Sequence, residues 1–418
     1  NDDAPLNVME VDDRPDAFSS YNSGFQVRTR KRINEILVKT HPKSSDLPDH
    51  YSSGGYDIEG GIHSKSYLLS FLDEDENLEK PLNNSSLLKS VQVKGWDKES
   101  DGVTDLIETM PPLLFDYTKY KPQNRDFFPV KGKDLPNISL SAPTFELIDL
   151  DGNGLPDVIE MNGAYIRYWT NKGNAEFDVP RIMKDAPSGL SLEDQNVQLV
   201  DADGDGRADL LVNKPGITGY FPLNFDGKWD ENSFRKQEIA PSFSFADPEV
   251  KMMDINGDGI TDILRNGNRL ECYFQDREEG WKETRFLNRG SGDNFPNVNF
   301  ADPSVKTADM NGDGLQDIVV VKNGSVIYWP SKGHGNWGHC IQVKNMSRFG
   351  YYFDPKRLLL GDLDGDGLAD MAYIENNKIT IWINQQGESW SDPIEINGTP
   401  PVNDMDSVRI VDLLGQGT

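Results

Sequence analysis

The chain is predicted to be all-β: a β-propeller of six blades, the last only begun, preceded by a small antiparallel β module. Three observations carry that prediction. An aspartate-rich loop recurs at nearly constant spacing, each copy runs into short apolar strands, and the same aromatic positions return in every unit. Composition agrees, since 36% apolar residues with 38 glycines and 25 prolines in 418 suit many short strands joined by tight turns.

The N-terminal module is expected over residues 1–120. Residues 1–16 (NDDAPLNVMEVDDRPD) are acidic and proline-bearing, and read as an extended or loop segment. From Phe25 the run FQVRTRKRINEILVK alternates Phe25, Val27 and Thr29 with Gln26, Arg28 and Arg30, a strand signal. Its basic cluster, Arg28–Arg32, reads as one charged face paired with acidic neighbours rather than as a nucleic-acid contact. Residues 42–63, rich in Ser, Gly, Asp and Pro, form a long loop. Residues 64–72 and 86–96 read as paired strands, and 112–117 as a further short one. Between them Asp97, Glu99, Asp101, Gly102 and Asp105 imitate a calcium loop without the hairpin described next, and read as a plain acidic turn. Residues 121–139 are a linker or a first propeller strand, and the propeller occupies 140–418.

The repeats start at Asp149, Asp201, Asp254, Asp309 and Asp362, with a candidate sixth at Asp412, at spacings of 52, 53, 55, 53 and 50 residues. After each complete loop comes an apolar strand: DVIEM, DLLVN, DILRN, DIVVV, DMAYI. Twenty residues past the first aspartate stands Trp169, Phe221, Phe274, Trp329 or Trp382, preceded by Tyr168, Tyr220, Tyr273, Tyr328 or Ile381. A glycine-containing turn and another aromatic follow: Phe177, Trp229, Trp281, Trp337, Trp390. A unit of about 50 residues with four short strands is the size of a propeller blade. One blade cannot bury its two faces alone, so aromatics repeated at one offset are expected to be packing between blades.

The loops follow the front of an EF-hand-type calcium loop, with carboxylates or amides at positions 1, 3, 5 and 9 and glycine at 6. The side-chain ligands expected are Asp149, Asp151, Asn153 and Asp157; Asp201, Asp203, Asp205 and Asp209; Asp254, Asn256, Asp258 and Asp262; Asp309, Asn311, Asp313 and Asp317; and Asp362, Asp364, Asp366 and Asp370. Position 7 would add the backbone carbonyl of Leu155, Arg207, Ile260, Leu315 or Leu368. All-oxygen sites of this charge favour calcium, up to five ions. Without a cation, carboxylates about 4 Å apart repel by roughly 4 kcal/mol at an effective dielectric near 20. Seventeen carboxylates stand at these positions, and five calcium ions would offset ten of the 27 net negative charges. The sixth loop, DLLGQGT, has Leu414 and Gln416 where carboxylates belong, and is expected to keep the turn and lose the ion.

Several function classes are disfavoured. A net charge of −27 argues against nucleic acid and anionic membranes, and no apolar run is long enough to span a bilayer. Ions saturated by one continuous loop leave no open position for a substrate, so the calcium is expected to be structural. No nucleophile elbow, phosphate loop or zinc signature appears. His41, His50, His63, His334 and His339 are scattered, and the last two read as parts of a solvated glycine-rich turn. Cys272 and Cys340 are expected to be buried free thiols. With no such catalytic motif the chain is expected to be non-enzymatic, and because it begins at NDDAPL and stops inside a motif it reads as a piece of a longer polypeptide.

The five loops with their hairpins resemble FG-GAP or VCBS-type repeats, as in integrin α-subunit propellers. A narrower likeness covers nearly the whole chain. DRPDAFSSYNSGFQVRTRKR (13–32), LLKSVQVKGWD with MPPLLFDY (87–117), FELIDLDGNGLPDVIEMNGAYIRYWTNKGNAEF (145–177) and VIYWPSKGHGNWG with FDPKRLLLGDLDGDGLAD (326–370) resemble the SpvB-related N-terminal part of the B component of bacterial Tc insecticidal toxin complexes. That resemblance implies a secreted, extracellular bacterial protein. Its B and C components enclose a toxin in a hollow shell, and its propeller docks onto the A-component channel and gates release. The family's loops are often degenerate, whereas these five are nearly complete, which implies a greater dependence on calcium. The shell repeats and any ADP-ribosyltransferase region are not within the 418 residues. The alternative from the residues alone is a calcium-dependent adhesion or glycan-binding propeller on a cell surface. Rhs/YD repeats after residue 418 would favour the toxin reading, and an anchor or further adhesive modules the other. A third reading, an enzyme with its site in the central funnel, needs converging His, Glu or Arg residues that the repeats do not offer.

Overall fold

The computed structural model describes residues 13–40, 62–75, 78–98, 104–124, 127–289, 294–415 and 417. The expectations for residues 1–12 and for most of the loop at 42–63, with His41 and His50, lie outside these. The protein is all-β, and its only described helical segments are single 3-10 turns at Leu72–Glu74, Pro122–Asn124, Pro355–Arg357 and Met405–Ser407. Two compact units form: residues 1–18 with 29–120, and residues 19–28 with 121–418.

The first unit is an antiparallel sheet in which Glu35–Thr40, Ile62–Phe71, Leu88–Lys98 and Thr104–Thr109 follow one another, and Leu113–Leu114 pairs back on Leu88–Lys98. Leu88–Lys98 and Thr104–Thr109 pair up to Asp97 opposite Asp105 and Lys98 opposite Thr104, and the tip of that hairpin, where the acidic turn was expected, lies outside the described residues. The basic cluster is neutralised by acids. Arg32 bridges Asp73 at 2.7 Å and Glu74 at 2.9 Å, with its guanidinium 4.2 Å from the Phe71 ring centroid. Arg30 and Lys31 both pair with Asp13. The alternation read from Phe25 onward is broken: Val27–Thr29 pairs with Phe18–Ser20 as a hairpin turning at Gly24, and pairing resumes only at Glu35.

The second unit contains five four-stranded antiparallel sheets, the repeating unit of a propeller. In the first, Phe145–Ile148 is the inner edge, followed outward by Asp157–Met161, Ile166–Trp169 and Arg181–Ile182. The inner strands of the others are Val197–Val200, Val250–Met253, Val305–Ala308 and Leu358–Gly361. Each aspartate loop joins an inner strand to the next one out, and the middle of that second strand is mostly apolar because both its faces are largely covered.

Apolar clusters lie between successive sheets. Ile148, Ile159 and Met161 pack with Leu210, Val212 and Trp229; Met253 and Leu264 with Ile318, Val320 and Trp329; Val319 and Tyr328 with Met371 and Trp382. Phe177, Trp229, Trp281, Trp337 and Trp390 are all buried, each worth a few kcal/mol of transferred apolar area, on the order of 2–3. Beside the first sheet, Lys131–Gly132 pairs in parallel with Glu176–Phe177 as a separate two-stranded sheet, and the Asp134 carbonyl accepts Trp169 Nε1–H at 2.8 Å. Of the two thiols only Cys272 is buried. Cys340 is exposed, next to exposed His339 and just ahead of the outer strand Ile341–Val343.

Candidate metal centres

All five loops are built alike. The position-1 aspartate accepts from the amides of the glycines at positions 4 and 6; in the first loop Gly152 N–H reaches Asp149 Oδ1 at 2.8 Å and Gly154 N–H reaches Oδ2 at 2.7 Å. Asp201, Asp254, Asp309 and Asp362 repeat this. Both glycines lie at positive φ in every loop, for example +72° and +86° at Gly312 and Gly314, which curls successive backbone amides around one carboxylate. At position 5, Asn153, Asp205, Asp258, Asp313 and Asp366 accept the position-7 amide. The backbones of Leu155, Arg207, Ile260, Leu315 and Leu368 are thereby fixed within the loop.

The position-9 aspartates Asp157, Asp209, Asp262, Asp317 and Asp370 are completely buried. One oxygen accepts the position-2 amide and the other an amide at the end of the third strand. For Asp317 these are Met310 N–H at 3.1 Å and Ser331 N–H at 2.8 Å; for Asp370, Leu363 at 3.0 Å and Asn384 at 2.7 Å. Asp157, Asp209 and Asp262 do the same with Leu150 and Asn171, Ala202 and Leu223, and Ile255 and Gln275. Burial raises all five: Asp157 to about 6, Asp209 and Asp262 to about 7, Asp370 to about 8, and Asp317 far upward. The amides oppose that rise and neighbouring loop carboxylates add to it. A bound cation would restore the charged forms.

Two loops gather three carboxylates within metal-binding reach. Oxygens of Asp201, Asp203 and Asp209 lie within 4.8 Å of one another, and so do those of Asp362, Asp364 and Asp370. In both clusters the position-3 residue carries an orphan: Asp203 Oδ1 and Asp364 Oδ1 are buried without a hydrogen-bond partner. A buried carboxylate oxygen left unpaired is costly, and an all-oxygen donor set of this charge fits a hard divalent cation such as calcium. The other three loops divert oxygens elsewhere. Asp151 is exposed, Asp258 Oδ2 accepts Asn256 Nδ2–H at 2.9 Å, and Asp313 Oδ2 accepts the Tyr21 amide at 2.6 Å. That last bond ties the 19–28 segment to the fourth loop, and Arg28 adds an ion pair with Glu388 at 2.5 Å. His334 and His339 are both exposed, and neither belongs to a metal-competent cluster among the described residues.

The loops also hold one another. A β-carbon on the position-4 glycine of one loop would meet the position-7 side chain of the next: Gly152 meets Arg207, Gly204 Ile260, Gly257 Leu315, and Gly312 Leu368, at 3.0–3.3 Å. Gly415 of the sixth loop meets Leu155 of the first at 3.0 Å, and Gly361 lies against Ile410, so the loops run round a closed ring. The sixth loop keeps its turn, with Asp412 accepting from Leu414 and Gly417.

Polar links between sheets alternate around that ring. Gln275 Nε2–H donates to the Ala202 carbonyl, Asn384 Nδ2–H to that of Met310, and Asn171 Nδ2–H to that of Leu413, each reaching back to position 2 of the preceding loop. At the outer edge of the first two of these seams run parallel bridges, Ile239 with Gly280 and Lys344 with Ser389. The first and second sheets share one backbone bond, Glu231 N–H to Asp185, and the third and fourth share none among the described residues. The signal was present in the sequence. An amide stands just past the +20 aromatic in units one, three and five, and Leu223 or Ser331 in units two and four.

The chain is similar in sequence to FG-GAP-like repeats over residues 149–212 and 362–418. It superimposes on a chain of the Photorhabdus luminescens Tc holotoxin pore with a TM-score of 0.75 and 26% identity, over 97% of this chain and 18% of that one. Crystal structures of TcdB2–TccC3 match at TM-scores of 0.55 and 0.56 with 23% and 24% identity, again over 97% of this chain and less than a fifth of theirs, 19% and 18%. No curated protein sequence matches the chain. The chain is thus related in fold and sequence to part of a Tc toxin complex, and spans less than a fifth of the chains it matches.

Proposed function

We propose that the chain is a non-enzymatic scaffold of a toxin-complex B-like protein, comprising an SpvB-related module and a propeller of six blades. The propeller docks a channel-forming A-type component and gates release of a toxin enclosed with a C-type component, outside the bacterial cell. The likeness to the Tc holotoxin pore along 97% of the chain is the observation that carries this reading. The repeated, mutually braced loops support a structural rather than a catalytic role, because every polar cluster in them serves the turn.

In the same reading the loops hold structural calcium, and the Asp201/Asp203/Asp209 and Asp362/Asp364/Asp370 clusters fill first. Bound calcium supplies the positive charge that keeps these buried carboxylates ionised. Docking is tested by mixing the purified chain with a Tc channel component and following co-elution on gel filtration; no complex at about 10 μM of each would refute it. Calcium is tested separately by melting in excess chelator. An ion at 100 times its dissociation constant contributes about 2.7 kcal/mol per site, so an unchanged melting curve would overturn the structural role.

A further inference from the structure

The inner strands carry charge that the loops do not explain. Three residues before each loop, at one register position, stand Glu146, Gln198, Lys251, Lys306, Leu359 and Arg409. Lys251 is opposite Leu264 on the second strand of its sheet and Lys306 opposite Val319, so the two lysines occupy equivalent places on adjacent inner strands. Both are half-buried. Among the described residues neither ammonium has an ion pair or a hydrogen bond, in a chain where 69 acidic residues outnumber 42 basic ones. Burial, and then the charge of Lys251, hold Lys306 below the ordinary lysine range, while Asp354 counters from beyond ion-pair distance. Arg409 is exposed and occupied with the Asp406 and Val408 carbonyls, and Glu146 is exposed.

Two half-buried like charges raise the free energy of the fold unless something offsets them. They stand at the seam between the third and fourth sheets, which no backbone hydrogen bond crosses among the described residues. A group bearing two negative charges would match both ammonium ions, whereas a single carboxylate would leave one positive charge uncompensated. We propose that Lys251 and Lys306 form a site for a free inorganic dianion of the sulfate or phosphate type, held on the inner edge of the ring and bridging the third and fourth sheets.

Sulfate is the suitable probe, because phosphate would precipitate any calcium. Titrating it into the protein at constant ionic strength, with chloride as the replaced anion, is expected to raise the melting temperature along a saturating curve. Lys306→Met should weaken that response about tenfold, the worth of one contact of about 1.4 kcal/mol, and Lys306→Arg should leave it within about threefold. Lys306→Met should also melt higher than the parent in the absence of sulfate, since the repulsion is gone. Lys251→Gln gives an independent second variant, with the same weakened response expected. A sulfate effect no greater than that of chloride in the parent, or an equal effect in parent and both variants, would overturn the site.

Discussion

Asp370→Asn separates the carboxylate's role in folding its loop from its role toward a cation. The substitution keeps the shape and one acceptor. In the parent, one oxygen receives Asn384 N–H at 2.7 Å and the other Leu363 N–H at 3.0 Å, with the side chain fully buried. An asparagine must turn its NH2 toward one of those amides. Losing one charge-assisted bond costs about 1.5–3 kcal/mol and the stranded amide about 1–3 more, so about 3–5 kcal/mol is expected with calcium bound. In chelator the balance differs. Burial pushes the Asp370 carboxyl to about 8, so the ionised group is itself unfavourable there, and the neutral amide gives back part of the loss. The cost should then fall to about 2 kcal/mol or less. Urea titrations of parent and variant at neutral pH, followed by the fluorescence of the buried Trp382 and Trp390 with calcium and with chelator, measure both costs. Equal costs in the two conditions would show that Asp370 and the cation are not coupled.

Three further outcomes are expected. Gly387→Ala places a β-carbon 2.6 Å from Tyr328 Oη and 2.9 Å from the Met310 carbonyl at φ +71°, and should lower stability by about 2–4 kcal/mol in the same urea assay. Native protein should consume one equivalent of a thiol reagent, at exposed Cys340, and a second only in denaturant, because burial pushes the Cys272 thiol up to about 12. Burial would raise Asp16, yet Arg14 and Ser86 hold it at about 2, below its unfolded 3.8. Its contribution is therefore present above the unfolded value and lost as pH falls through the folded one. Melting temperatures followed by circular dichroism between about pH 4 and pH 2 should fall more steeply for the parent than for Asp16→Asn.

The propeller-like fold was legible because its determinants are local and repeated. Loop aspartates, positive-φ glycines and strand aromatics each sit at one offset, and five copies leave little room for another period. What escaped the sequence was partner choice. Nothing around Tyr21 announces that its amide will meet Asp313, 292 residues away. Three carboxylates converge in only two loops, and the sequence already sets those two apart: the second and fifth alone carry aspartate at positions 1, 3, 5 and 9, whereas Asn153, Asn256 or Asn311 takes one place in the others. What spacing did not reveal is where the remaining oxygens are spent, as with Asp258 on Asn256 and Asp313 on Tyr21. Cys340 was misjudged because apolar neighbours on one side outweighed the two glycines on the other.

The alternation of amide links and parallel bridges has a mechanical consequence. Sheets two and three, and four and five, are each clamped at both the inner and outer ends of their seam, and the sixth loop's segment is tied to sheet one by an amide link, while the seam between sheets three and four rests on apolar contact and side chains. Hydrogen bonds resist shear over a fraction of an ångström, whereas apolar contacts slide and re-form. A load spread around such a ring would concentrate its strain at the unclamped joint. Each pair of sheets could then turn as a rigid plate, widening the ring without unravelling a single strand.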